Sequence, residues 1–151
     1  MPGPKRTVDM PYIAFPDIAV GDILPPLTKG PLTRATLAYF CGASNDHNPI
    51  HVDTDFARAS GKEDVFAHGM LNMAYMGQML TNWIPQTALI SFEVKFVALV
   101  YVGDEITCSG EVREQVVING ESAFVIDLKA VDQNGGVKLT GRATVRQGQE
   151  K

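Results

Sequence analysis

Cysteine is scarce in this sequence. The two cysteines, Cys41 and Cys108, lie in different segments and form no CxxC pair. This spacing is typical of neither a disulfide framework nor a zinc site, and it predicts two reduced, partly buried thiols in a cytoplasmic protein.

Long apolar runs and an excess of basic residues are absent as well. No stretch approaches the ~18 apolar residues of a membrane span, and the first fifteen residues contain no continuous apolar segment of the signal-peptide type. The formal net charge is −4, so bulk charge does not attract nucleic acid. These absences predict a cytoplasmic enzyme or binding domain that binds neither membranes nor nucleic acid.

The remaining composition fits one globular domain. Of the 151 residues, 45% are hydrophobic, and we predict a single domain over residues 1–151 with an extended lead-in at 1–17. Seven of the nine prolines fall within residues 1–31. Because proline lacks an N–H and restricts its neighbour, no helix is expected there; residues 18–22 suggest an extended approach to a turn.

Three helices are predicted. Thr33 caps the first, and the second runs from Thr54 to Ser60 behind a cap at Asp53–Asp55 and stops at Gly61. The longest covers residues 68–84 and is apolar around most of its circumference, which predicts a buried helix. Its predicted stripe is Met70, Met73, Ala74, Gly77, Leu80 and Ile84, widened by Leu71, Met76 and Met79.

Alternating apolar and polar residues predict four strands after this helix. They cover residues 90–96, 105–117, 122–131 and 137–146. Asn-Gly at 119–120 is a strong hairpin indicator. We predict an α+β fold in which a curved antiparallel meander wraps one long helix. One sheet and one long helix are too few to cover each other on both faces, so at least a dimer is expected.

The stretch SNDHNPIHVD, residues 44–53, concentrates groups that handle protons. Pro49 prevents His47 and His51 from aligning on one helical face, so a two-histidine metal site is not expected. A carboxylate and an imidazole, Asp46 and His51, can share and activate a water. From the residues alone, this catalytic interpretation and a plain turn-forming loop remain equally open.

The segment YFCGASNDHNPIHVD, residues 39–53, resembles the hydratase-2 signature of the MaoC-like, (R)-specific enoyl-CoA hydratases. FAHGM at 66–70, FEVKF at 92–96 and VGD at 102–104 resemble later segments of that family, in the same order. The resemblance extends over about residues 18–146. It implies the hot-dog fold, in which a long central helix is wrapped by a curved antiparallel sheet, usually as a dimer.

The resemblance also implies a reaction and its residues. Asp46 and His51 would be the catalytic pair that activates water for addition to a trans-2-enoyl-CoA, giving a (3R)-hydroxyacyl-CoA, or for the reverse dehydration. Asn48 would brace the loop. No metal and no cofactor is implied, because the CoA thioester is the substrate. The family usually has glycine where this chain has Asn45, a residue that tolerates left-handed backbone.

Negative charge develops on the thioester oxygen in this reaction, and a backbone N–H at a helix N-terminus can stabilise it. We predict Gly69 N–H as this oxyanion donor; the alternative is a glycine required for close packing. Two other functions stay open: the active subunit of a heteromeric hydratase for a bulky acyl-CoA, and a hot-dog thioesterase. The thioesterase needs a carboxylate on the central helix, and residues 70–84 contain none.

Overall fold

The computed structural model describes residues 15–148, so most of the predicted lead-in, residues 1–14, lies outside the described residues. The helices are α1 Arg34–Ser44, α2 Thr54–Ala59 and α3 Gly69–Trp83, and the strands are β1 Leu27–Lys29, β2 Leu89–Phe96, β3 Ile106–Ile118, β4 Glu121–Val131 and β5 Val137–Arg146. Single 3-10 turns cover Pro49–His51 and Gln86–Ala88. Within the described part of the chain, no helix is both long and apolar enough to cross a membrane.

The helix boundaries follow from the capping residues. Thr33 accepts a hydrogen bond from the Thr36 N–H at 3.1 Å and starts α1. Asp53 Oδ1 accepts from the N–H groups of Asp55 and Phe56 and starts α2, and Gly61, at φ +79°, follows its end. These local bonds confirm the predicted helices and fix both ends of the loop between α1 and α2.

The five strands form one antiparallel sheet in the order β1-β3-β4-β5-β2. The predicted meander is therefore correct for β3 to β5 and wrong for β2, which lies at the far edge and pairs with β5. The short β1 was not predicted; it pairs with β3 at the other edge. Alternation in sequence shows which face a strand buries, but it contains no information on which strand is the neighbour.

The core lies between the inner face of the sheet and α3. Met76, Leu80, Ile126 and Leu139 are almost fully buried there, and each such side chain stabilises the fold by about 1.5–3 kcal/mol. Gly141 of β5 lies so close to the neighbouring strand that a Cβ would meet the Glu93 carbonyl oxygen at 2.7 Å. The α+β prediction of a long helix wrapped by a curved sheet is confirmed.

The predicted buried stripe of α3 is wrong in part. Met70 is 58% exposed and Ala74 is also exposed, whereas the buried positions include Leu71 and Met79, which were predicted only to widen the stripe. Because α3 is apolar on nearly every side, periodicity alone does not select the face that meets the sheet. The other side of α3 consequently presents apolar side chains to solvent in the single chain.

Candidate active site

The loop after α1 turns back on itself at Asn45. This residue ends α1 with φ 58° and ψ 20°, in the left-handed region. Glycine adopts this conformation without strain, and asparagine tolerates it better than most other residues. The position where the family usually has glycine thus has the backbone shape that glycine favours.

Asn48 holds the second half of this loop. Its Oδ1 accepts a hydrogen bond from the Ile50 N–H at 3.1 Å, and its own N–H donates to Asp46 Oδ1 at 3.3 Å. Pro49 then begins a single 3-10 turn that ends at His51. Asn48 is therefore bonded both to the carboxylate of Asp46 and to the turn that presents His51.

Asp46 and His51 lie close together, although Asp46 is exposed and His51 is only 8% exposed. A carboxylate oxygen of Asp46 and a ring nitrogen of His51 lie within 4.8 Å of each other. His51 Nδ1 is 2.7 Å from the Phe66 carbonyl oxygen. Because a carbonyl oxygen only accepts, Nδ1 carries the proton, and Nε2 of the neutral ring is an acceptor.

His68 is a third member of this cluster that sequence reasoning did not assign to the site. It is 1% exposed, and its ring stacks on His51 with centroids 3.8 Å apart. Its Nε2 lies 3.2 Å from the Asp46 carbonyl oxygen. Burial, and then the neighbouring His51, lower the pKa of His68, so its ring is neutral near pH 7.

The sequence does contain an indication of this histidine. His68 occupies the N-cap position of α3 without making a side-chain cap, at a place where serine, threonine, aspartate or asparagine is usual. A histidine there, followed by Gly69, points to a role other than helix capping.

The cluster of Asp46, His51 and His68 offers three metal donors, but its geometry suits water better. His51 Nδ1 and His68 Nε2 already face carbonyl oxygens, and the two rings are inclined by only 26°. In-plane lone pairs of such stacked rings do not converge on one ion at the about 2.0–2.1 Å that zinc requires. That the site holds no metal stays a prediction.

Gly69 is the first residue of α3 and adjoins the cluster through His68. The N–H groups of Leu71 and Asn72 point back to the His68 carbonyl oxygen, whereas Gly69 N–H has no acceptor among residues 15–148. A Cβ on Gly69 would lie 3.0 Å from Cε1 of Phe96. The structure is therefore compatible with both predictions for Gly69, an oxyanion donor and a glycine required for packing.

An ion pair braces the scaffold of the loop. Arg34 of α1 makes two hydrogen bonds to Asp64, at 3.1 and 2.6 Å, and one to Thr54 of α2 at 2.9 Å. The Arg34 hydrogen bond and then the Val65 N–H lower the pKa of Asp64 to about 2. This contact joins α1, α2 and the segment that leads to Phe66 and His68.

A groove of about 510 Å³ lies elsewhere on the single chain, on the outer face of the sheet. Its lining includes Ile23, Ser109, Glu111, Arg113, Asp127 and Lys129, and none of the predicted site residues. The predicted site instead adjoins exposed apolar surface: Phe96, whose ring contacts Gly69, is 51% exposed, and Met70 follows in the helix. The site residues are thus brought together on a surface that the single chain leaves partly open.

Comparison with known proteins gives consistent matches. Residues 24–134 match the model of the MaoC like domain family. The chain is 30% identical over 114 residues to the (R)-specific enoyl-CoA hydratase of Aeromonas caviae, a match that covers 74% of this chain and 84% of that protein.

Two solved structures show the same fold. The (R)-hydratase of A. caviae involved in PHA biosynthesis superposes with a TM-score of 0.73 at 27% identity, over 87% of this chain and 98% of that one. A chain of the ChsH1-ChsH2 complex from Mycobacterium tuberculosis gives 0.74 at 22% identity, over 86% and 98%. The predicted hot-dog fold is confirmed.

Proposed function

The chain belongs to the MaoC-like domain family, and on that premise we propose that it adds water to a trans-2-enoyl-CoA to give a (3R)-hydroxyacyl-CoA. Its similarity to enoyl-CoA hydratases over most of its length makes it a hydro-lyase. Dehydration of the 3-hydroxyacyl thioester is the same reaction in reverse at the same site. The proposed reaction needs no cofactor, because water supplies both the hydroxyl group and the hydrogen that add to the double bond.

The observation that carries this proposal is the separation of Asp46 and His51, whose donor atoms lie within 4.8 Å. Two hydrogen bonds of about 2.8 Å that meet at one water span about 4.5 Å. One water can therefore bond to the Asp46 carboxylate and to a ring nitrogen of His51 at once, and we propose Nε2 as that nitrogen. The bond from His51 Nδ1 to the Phe66 carbonyl keeps Nε2 available as the base.

In the proposed step, the water oxygen forms a bond to C3 while His51 Nε2 takes one of its protons. The double-bond electrons move toward the thioester oxygen, and the imidazolium of His51 then gives the proton to C2 on the same face. Asp46 orients the water through its second hydrogen and stabilises the imidazolium. The product thus contains one hydroxyl and one hydrogen from water, and His51 returns to its starting form.

Gly69 N–H is proposed to stabilise the negative charge on the thioester oxygen. It lies at the N-terminus of the 15-residue helix α3, where the helix dipole favours negative charge. It also follows His68, which contacts the backbone carbonyl oxygen of Asp46 and the ring of His51. In the proposal, a carbonyl oxygen bonded to this N–H lies next to the water.

A second copy of the chain is the proposed partner. Only β5 pairs with β2 within residues 15–148, so the eight-residue β2 has an unpaired edge. The apolar outer side of α3, including Met70 and Ala74, is exposed as well. An unpaired edge next to an apolar surface favours association, and a homodimer would cover the open side of the site. A related chain in its place would make the heteromeric hydratase.

The thioesterase alternative gains no support. Helix α3, Gly69–Trp83, contains no aspartate or glutamate that could activate water at the thioester carbonyl. The only carboxylate in the described cluster is Asp46, which lies on the loop.

The test is the hydration of crotonyl-CoA and of longer and bulkier enoyl-CoAs. The reaction is monitored by the loss of the enoyl-thioester absorbance, and the configuration of the product is determined by chiral analysis. Asp46→Asn and His51→Gln should each lower kcat by about 10³-fold or more. His47→Gln, which changes an exposed histidine of the same loop, is the matched control and should stay active. Full activity of both site variants would contradict the proposal.

Light scattering separates the two assemblies. A homodimer that is active alone supports the proposal. A chain that is inactive with every substrate until a second protein is added would instead favour the heteromeric hydratase.

A further inference from the structure

His68 contacts both members of the proposed catalytic pair. Its Nε2 lies 3.2 Å from the backbone carbonyl oxygen of Asp46, and its ring stacks on the ring of His51 at 3.8 Å. On its other side, Phe40 packs edge-on with centroids 4.9 Å apart. One buried side chain is therefore placed between the loop residue Asp46 and the base His51.

The hydrogen-bonding partners determine the state of this ring. The Asp46 carbonyl oxygen can only accept, so Nε2 of His68 carries the proton. In the neutral ring Nδ1 is then a bare acceptor, and within residues 15–148 this buried atom has no hydrogen-bond partner. A neutral His68 adds no positive charge next to His51 when that ring takes a proton from water.

The unpartnered Nδ1 argues against a role of His68 in packing alone. A buried acceptor without a donor is unfavourable by about 1–3 kcal/mol, and phenylalanine would fill the same space between Phe40 and His51 without it. What phenylalanine lacks is the Nε2 hydrogen that bonds to Asp46. Nε2 of His68 also lies 3.4 Å from Cys41 Sγ, but a thiol forms only a weak hydrogen bond.

We infer that His68 is a positioning residue for the reaction: its Nε2–H holds the backbone of Asp46, and its ring holds the ring of His51, so that the two groups keep the separation that one water bridges. This inference rests on the proposed roles of Asp46 and His51. Displacement of a catalytic group by about 1 Å can lower the rate by about 10²-fold. In this role His68 neither touches substrate nor transfers a proton.

Two substitutions separate positioning from packing. His68→Gln can place an amide N–H where Nε2 donates to Asp46, but it lacks the ring. His68→Phe keeps a ring against His51 and has no donor. We expect kcat to fall by about 10- to 100-fold in His68→Phe with KM within about threefold. In His68→Gln we expect kcat within about fivefold of the wild type, the remaining loss being the effect of the missing ring. Cys41→Ala, which removes only the thiol, should stay within about twofold.

The order of the two variants in thermal stability should be the reverse of their order in kcat. His68→Phe removes the unpartnered Nδ1 and should not lower Tm, whereas His68→Gln leaves space in the core and should lower it. A purely structural role predicts instead that kcat follows the fraction of folded protein. If His68→Phe retains kcat within twofold of the wild type, the inference is wrong. If that variant does not fold, His68→Leu provides the same comparison with His68→Gln.

A measurement on the unmodified protein gives an independent test. The imidazole nitrogen resonances of His68 should show the neutral ring with its proton on Nε2 at pH 7 and above; a neutral ring with its proton on Nδ1 would overturn the inference. The proposed function is judged separately by the wild type and by Asp46→Asn. An inactive wild type would contradict the proposed function, whereas an active wild type with a fully active His68→Phe contradicts only the role of His68.

Discussion

The loop region between α1 and α3, residues 45–68, and the sheet of β2 to β5 are stabilised in different ways. In the loop region, single polar side chains bond to nearby backbone, as Asn48 does to Ile50 and Asp53 does to Asp55. In the sheet, backbone ladders and a buried apolar face hold the strands, and charged side chains such as Arg113 and Asp127 pair on the outer face.

Because of this difference, we expect the sheet to determine the stability of the fold and the loop region to determine the geometry of the reaction. The sheet distributes its stability over many equivalent contacts, so the change of one residue there should alter the free energy of unfolding without moving the site. The loop region depends on a few specific bonds that place Asp46, His51 and His68. One substitution there should alter the geometry of the reaction more than the stability of the fold.

The largest expected effects come from one substitution in each region. His51→Asn retains an N–H where Nδ1 bonds to Phe66 but removes Nε2, so kcat should fall by about 10³-fold while stability changes by about 1 kcal/mol. Ile126→Ala in β4 truncates a fully buried side chain and should cost about 2–5 kcal/mol of stability. Its kcat per folded molecule should stay near that of the wild type.

Chemical denaturation and initial rates of hydration, measured on the same samples, check both halves of this prediction. A large loss of kcat in folded Ile126→Ala would contradict the separation of the two regions. A wild-type rate in His51→Asn would contradict the role of His51.

Gly69 lies where the two regions meet, because its backbone contacts the ring of Phe96 at the end of β2. In Gly69→Ala the new Cβ should lower stability by about 1–3 kcal/mol through overpacking, and kcat by about 10- to 100-fold because it obstructs the approach to the N–H. Phe96→Leu, added to Gly69→Ala, should restore Tm but not kcat. Recovery of both would leave close packing as the reason for glycine at this position.

Much of the fold could be predicted because its indicators are local. A cap such as Thr33, a stop such as Gly61 and the hairpin at Asn119 act within a few residues of chain. The position of β2 and the buried face of α3 could not be predicted from these patterns. Both depend on which distant strands pair and on which side of an apolar helix meets them.

The site was predictable only in part, for a related reason. The chemistry of Asp46 and His51 is equally consistent with a catalytic pair and with a plain turn-forming loop. Only the resemblance to a known family favours catalysis. The stack of His68 on His51 joins residues 17 positions apart, and the bond from His51 to Phe66 joins residues 15 apart. No periodicity in the sequence reports contacts of this kind.

Acid should weaken the loop region through Asp64. Because the folded-state pKa of this carboxyl is lowered from 3.8 to about 2, its contribution to stability is present above about pH 4 and is lost as the pH falls toward 2. Asp64→Asn should therefore be less stable than the wild type at pH 6, with a difference that shrinks between pH 4 and 2. Denaturation midpoints measured over this range check the prediction.

Asp127→Asn is the matched control, because Asp127 is also an ion-paired carboxylate but lies on the outer face of the sheet. Loss of this exposed partner should change stability by less than about 1 kcal/mol at pH 6. A difference between wild type and Asp64→Asn that stays constant down to pH 2 would contradict the role assigned to the Arg34 contact.

The smallest expected effects compare two asparagines, one in each region. Asn45 at the end of α1 and Asn119 in the β3–β4 hairpin both have left-handed backbone, with φ of 58° and 51°. Alanine at either position should cost about 1–2 kcal/mol, and glycine should change stability by less than about 1 kcal/mol. Because this argument concerns the backbone alone, Asn45→Gly should keep kcat within about twofold, as should Asn119→Gly.

Thermal denaturation and hydration rates of the four variants measure this directly. A loss of kcat above tenfold in stable Asn45→Gly, with none in Asn119→Gly, would show that the Asn45 side chain takes part in the reaction, and that the loop region uses this residue for more than its backbone shape.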